Sequence, residues 1–457
     1  MRPLLNNRRN TGKLAHIRRL WREIAAAGAL FGLLALPQSA WPQQTDAALL
    51  TLNAALAYAH EHSPQLAAAR QGIATRQAAV GAAQAERLPG IDLGASFRGT
   101  NSLTETALGF PLTPLADIPE TQPFSHGHVN GVVSATLPLY TGGRISSANK
   151  LAKAERDLAQ TNVRDVEREL DFEVTSTYAR LVELDRDIQA AQESASALEE
   201  SRRVVAQMLG VGKVARVDLF KVEARLADVQ DTLIEYRNAR QIEAGQLNAL
   251  LGRPIDAPVV VETALPHQPA PLSAQQLPQA VTTGNTKYQL ARARVGVAER
   301  SVSEAKSQLR PSLSLGADFV ELGADPFSTY KGGAIAGFVF SIPLFDRPLN
   351  KQIAEAKSRE IERRDQLAQA RLDATQRART AYLQMQDAEQ RIRATQAAIA
   401  AAREALRVEQ EKYSYGRGII ENVLDAQAAM LTSQADYYRA LADYTTARAA
   451  LKRETGL

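Results

Sequence analysis

The stretch LPLYTGGR, residues 137–144, returns as IPLFDRPL at 342–349, an offset of 205 residues. Both spell apolar, Pro, Leu, aromatic, then a turn. Upstream of each copy the residues alternate between apolar and small or polar, the period of a strand with one oily face. Downstream the apolar residues recur every three or four positions, the period of a helix. Each copy is therefore predicted to be a hinge from strand to long helix. Pro138 and Pro343 sit near the strand end, where a missing N–H costs no central ladder bond. Tyr140 and Phe345 follow at the depth where aromatic rings favour a membrane–water boundary.

Working outward, the strands are expected at about 91–99 and 129–139, and again at about 312–320 and 334–344. In the first, Ile91, Leu93, Ala95 and Phe97 share a face. In the second, Val129, Val133, Ala135, Leu137 and Leu139 do. After each hinge comes a long helical hairpin, with tips near 210–216 and 414–419 marked by Gly212 and Gly416. In the first, Val163, Val166, Leu170, Val174, Thr177, Leu181, Leu184, Ile188 and Ala191 form a seam of period about 3.5, the pattern of a left-handed coiled coil. Matching prolines and glycines (Pro89 with Pro311, Gly212 with Gly416, Gly252 with Gly456) indicate a tandem duplication. Its units are placed at 41–254 and 273–457, joined by a Pro-rich connector at 255–272. Repeat units of a solenoid would be far shorter.

Composition agrees with long, thinly packed helices: 45% of residues are apolar and 5% aromatic. The pI of about 9.1 does not point to nucleic acid. Residues 1–40 hold seven Lys/Arg and one acid, and the remainder carries 47 basic against 49 acidic side chains. That leader reads as a cleaved signal peptide, with a positive start, the apolar run IAAAGALFGLLAL and a small residue at position 40. There is no cysteine, hence no disulfide and no lipid on a leading Cys. Only helices and closed barrels satisfy the backbone in lipid, so the strands would cross the membrane as a barrel. Four strands cannot close one; three chains would supply twelve. A soluble periplasmic coiled-coil scaffold without a pore is the alternative, and the four alternating strands speak against it.

In LPLYTGGR and IPLFDRPL, the tips LGVGKVARVDL and YSYGRGIIENVLDAQ, and the doubled helix-strand-strand-helix plan, the chain resembles the TolC-type outer membrane efflux family. The resemblance implies a homotrimer whose 12-stranded outer membrane β-barrel continues as a long α-helical coiled-coil barrel in the periplasm. It implies docking on a periplasmic adaptor protein at the tips Gly212 and Gly416, and service to an inner membrane pump or secretion ATPase. By the same resemblance, Tyr413 and Asp218 match members of a clasp between coils. Gly418 stands where relatives have an arginine, and Arg417 is one position early. Carboxylates just past the second tip resemble a ring that narrows the periplasmic entrance; Asp425 keeps one such position, and Asn422 occupies another without a charge.

No catalytic constellation is found. GVGK at 210–213 lacks the spacing and Ser/Thr of a phosphate-binding loop. His60-x-His62 and His126-x-His128 lack a third ligand, and an i, i+2 pair on a helix does not share a face. No metal, cofactor, nucleic-acid or enzymatic role is expected.

Overall fold

A computed structural model describes residues 49–99, 127–265, 272–323 and 331–457. The leader (1–40), most of the loop between the first two strands and His126 lie outside the described residues. The first half contains α1 (Leu52–His62), α2 (Pro64–Ala85), β1 (Gly90–Gly99), β2 (Gly127–Tyr140), α3 (Arg144–Gly210) and α4 (Arg216–Leu251). The second contains α5 (Leu277–Gly284), α6 (Thr286–Ser307), β3 (Ser312–Gly323), β4 (Lys331–Ser341), α7 (Arg347–Ser414) and α8 (Ile420–Thr455). The 67 residues of α3 and 68 of α7 make rods about 100 Å long at about 1.5 Å per residue.

The strands form one antiparallel sheet in the order β1-β2-β3-β4, so β2 pairs with β3 across the two halves. Register fixes two contrasting faces. One carries the rows Ile91–Ala135–Ala317–Ala336, Leu93–Val133–Phe319–Ala334 and Leu137–Leu315–Phe338. The other carries Gly90–Thr136–Gly316–Gly337 and Asp92–Ser134–Asp318–Ile335. On the first face Leu93 is 79% exposed and Phe338 69%, an apolar surface that water does not favour.

Two expectations at the hinges need correction. Leu139 does not continue the apolar row: a register shift between Pro138 and Tyr140 leaves it unpaired and brings Tyr140 opposite Leu313, itself opposite Phe340. Such a bulge bends the strand and re-aims the side chain after it. The fourth strand ends at Ser341, so Pro343 and Phe345 lie in the connection to α7 rather than at a strand end. Pro138 lies inside β2 but beyond Thr136, the last residue that β1 pairs, so its missing N–H opens no bond on that side.

The two hinges start their helices differently. In the first, Gly142 (φ 61°) packs against the turn before β3. A Cβ there would lie 2.4 Å from Arg310 Cβ and 2.8 Å from the Pro311 carbonyl oxygen. Only glycine fits both the left-handed backbone and the close approach. In the second, Asp346 caps α7 by accepting from the Leu349 N–H at 2.9 Å.

Four apolar clusters hold the helices among the described residues, the smallest formed by Val281, Ala374 and Ala378. Near the connector, Tyr178 of α3 packs with Ala59, Leu66, Leu247 and Val261. Its hydroxyl donates to the Leu50 carbonyl (2.9 Å) and accepts from the Glu262 N–H (3.1 Å), tying both chain segments to α3. Toward the tips, Leu198 and Val205 of α3 meet Val222 and Leu226 of α4 and Val423 of α8. In the second half, Met385 and Ile392 of α7 pack on Tyr444 and Leu451 of α8.

Candidate functional site

The two hairpin tips share one construction. At the first, the Gly212 N–H donates to Leu209 O (3.0 Å) and the Lys213 N–H to Met208 O (2.9 Å). At the second, Gly416 donates to Tyr413 O (3.0 Å) and Arg417 to Lys412 O (2.8 Å). Gly212 and Gly416 have φ of 71° and 69°, the left-handed turn that ends a helix while satisfying its last carbonyls. Among the described residues nothing comes within 4 Å of a Cβ built at either glycine, so both tips stand clear of them. Around them Val211, Val217, Phe220, Tyr415 and Ile419 are exposed.

Neither returning helix has a side-chain cap. Instead Asp218 and Glu421 lie in their first turns, where a carboxylate complements the positive end of the helix dipole. Lys221 of α4 reaches Glu421 of α8 at 2.9 Å, joining the two hairpins near the tips.

Of the residues singled out from the sequence, Tyr413 and Asp218 come together within one protomer. The Tyr413 ring packs on the tip cluster and its hydroxyl is buried without a hydrogen-bond partner. Burial, then the charge of Asp218, raises its phenol above the ordinary value. Arg417 is exposed and forms no ion pair among the described residues. At Gly418 a Cβ would lie 3.2 Å from both Lys412 Cβ and the Tyr413 nitrogen, so an arginine there would press on the turn. Asn422 and Asp425 are exposed, one turn apart on α8. The Asn422 amide reaches Glu409 at 3.4 Å. The histidines of the first pair turn apart: His60 meets Asp171 at 2.5 Å, and His62 stacks on Tyr58. No group of three metal-ligating side chains occurs among the described residues.

Reading the sequence missed a buried polar group on α3. The structure buries Asp187 where the coiled-coil pattern pointed to Ile188, and Tyr178 where it pointed to Thr177. A helix of 3.6 residues per turn drifts against a 3.5 repeat, and α3 has partners on more than one side. Glu183 is 3% exposed and accepts from Arg180, with Arg439 of α8 at 3.8 Å. The spacing Arg180, Glu183, Asp187 was visible but reads equally well as a solvated helix face.

A sheet with one apolar and one small or polar face, drawn out into paired helices of this length, is the architecture of an outer membrane channel with a helical tunnel. Residues 55–253 and 277–457 match the family described as Outer membrane efflux protein, and the chain belongs to that family. It is 23% identical over 304 residues to the cobalt-zinc-cadmium resistance protein CzcC of Cupriavidus metallidurans, a match covering 65% of this chain and 64% of that protein's length. The fold is similar to that of the outer membrane protein VceC from Vibrio cholerae (19% identity, TM-score 0.70, 89% of this chain and 96% of that one). It is also similar to the CmeC outer membrane channel of Campylobacter jejuni (16% identity, TM-score 0.73, 89% and 85%).

Proposed function

We propose that three copies of this chain form an outer membrane conduit. β4 of one copy pairs with β1 of the next, giving twelve strands, and the hairpins continue inward as a helical tunnel. The observation that carries this reading is the two-faced sheet. Its apolar rows suit lipid, its other face suits a watery lumen, and the free edges of β1 and β4 demand partners, because unpaired edges are not tolerated in hydrocarbon. The leader then serves export across the inner membrane. The exposed tips around Gly212 and Gly416 dock a periplasmic adaptor, which couples the conduit to an inner membrane pump or secretion ATPase.

In this reading Asn422 and Asp425 line the periplasmic entrance, and three copies of Asp425 concentrate negative potential on a narrow axis. Tyr413 and Asp218 hold the two hairpins of a protomer together near the tip, with Arg417 free to turn toward a neighbour. A lumen of this kind is unselective, so cargo choice belongs to the pump. The likeness to a cobalt-zinc-cadmium resistance protein makes divalent metal ions the first cargo class to test.

Purified protein in planar bilayers checks the conduit. Discrete channel currents, blocked by multivalent cations from the tunnel side, are expected. Asp425→Ala should raise conductance and weaken that block. Absence of any channel activity would overturn the conduit, whereas unchanged conductance and block in the variant would remove only Asp425 from the entrance.

A further inference from the structure

We infer that the contact between the two helical hairpins of one protomer is a proton-operated joint, with Asp187 of α3 as the group that takes up and releases the proton. On this stretch of α3, buried charged side chains stand among apolar ones such as Leu184 and Ala190. The cluster near the connector reaches Val182, and the tip cluster begins at Ala191. Between them lies Asp187, 3% exposed, with one carboxylate oxygen, Oδ1, that has no hydrogen-bond partner. About two turns further toward the tip the same contact buries Gln427 of α8. Its Nε2 donates to Ser194 O at 3.1 Å and its Oε1 has no partner. The hairpins therefore meet here through buried acceptors that lack donors among the described residues, whereas at the tip cluster α3 and α4 meet Ile420, Val423 and Leu424 of α8 through apolar side chains. A buried acceptor of this kind weakens a contact.

The charged and titratable groups facing Asp187 come from three helices. On α3 they are Arg180 and Glu183, on α8 Arg439 and Asp436, and on α4 Tyr236. Glu243 of α4 faces Arg180 and Glu183. Both arginines are already engaged: Arg180 donates to Glu183, and Arg439 lies 3.8 Å from Glu183 and 3.5 Å from Asp436. The nearby Arg240 is committed to Asp185 at 2.5 Å and to the Val259 carbonyl. Among the described residues Asp187 is left with no ion pair of its own. Ionised, it adds a fourth carboxylate to Glu183, Asp436 and Glu243 against two guanidiniums.

Burial, and then the charge of Glu183, push the Asp187 carboxyl up to about 7, opposed in part by Arg180 and Arg439. In separated hairpins, where water reaches it, the group returns toward 3.8. The joined form thus holds a proton that the separated form lacks. Joining is fully favoured below about pH 4, and separation gains up to about tenfold per pH unit as pH rises toward 7. The bearing on passage rests on the conduit reading; the joint itself does not.

The absence of cysteine allows spin labels at Glu193→Cys of α3 and Ala429→Cys of α8 in the full chain, reconstituted in lipid. Distances measured from pH 4 to 8.5 should lengthen or broaden as pH rises and level off above about 7. Asp187→Asn should hold the short distance throughout. Arg439→Gln, which removes an opposing cation, should move the pH at which the change levels off upward. A distance that ignores pH in the unsubstituted background overturns the proposal. So does an Asp187→Asn response like the parent's, or an unmoved levelling-off pH in Arg439→Gln. Because the distances do not depend on conduction, a moving joint in a protein that passes no current defeats the conduit and leaves the joint standing.

Discussion

Glu454, in the last turn of α8, shows how much one residue can hold. Its side chain is 2% exposed, accepts from the Asn285 amide at 2.8 Å, and lies 3.3 Å from Arg377 and 3.2 Å from Arg453. Asn285 caps α6 by accepting from the Tyr288 N–H at 2.7 Å. The start of one helix and the end of another are thus fixed through a single carboxylate. A Cβ on the adjacent Gly284 would fall 1.8 Å from the Thr455 carbonyl oxygen, so the backbones themselves touch. Glu454→Ala leaves Arg377 and the Asn285 amide without this acceptor, while Arg453 keeps Glu169 at 2.8 Å, and should destabilise the chain by about 1–3 kcal/mol. Glu454→Gln, which keeps an acceptor for Asn285, should cost less. Denaturant unfolding in detergent measures both. None of this could be read from KRETGL, where Glu454 looks like an exposed acid near the end of a helix. The lysine and arginine before it say nothing of Arg377, 77 positions away.

Among the elements, the sheet makes the sharpest prediction. Leu315 and Ser314 are neighbours on β3 that face opposite ways, Leu315 in a row with Leu137 and Phe338, Ser314 with Pro138 and Val339. An arginine on the lipid side of a barrel costs about 2–4 kcal/mol near the bilayer midplane, whereas a lumen position tolerates charge. Leu315→Arg should therefore sharply reduce the heat-modifiable membrane form on a gel, and Ser314→Arg should leave it near the parental level. Equal loss in both would mean that this face does not meet lipid. The alternation itself was legible, because period two is written in consecutive residues. The bulge at Leu139 was not, since it depends on where β3 places Leu313. The long helices were legible in the same way, but the pattern chose Ile188 and Thr177 over Asp187 and Tyr178. It assumed one partner helix, and α3 packs against several.

For the whole molecule, one chain offers four strands with free edges on β1 and β4. In the proposed conduit three chains would close the ring, and native mass spectrometry of the detergent-extracted protein should then find three copies. A monomer in the membrane fraction would overturn the barrel. The same arithmetic was available from the sequence once the four strands were recognised.

What the sequence determined alone was local: the strand and helix periods, the turns at Gly212 and Gly416, and the passage from strand to long helix after each copy of the repeated stretch. Each depends on backbone preferences and on side chains within a few positions. Tertiary structure decided what depends on residues remote in the chain. It paired β2 with β3, set Gly142 against Arg310, brought Tyr413 to Asp218 and buried Asp187 between the hairpins. The physical reason is range: periodicity and turn chemistry act over a few residues, whereas burial, pairing and the field at a carboxylate are set by whichever distant segment packs alongside.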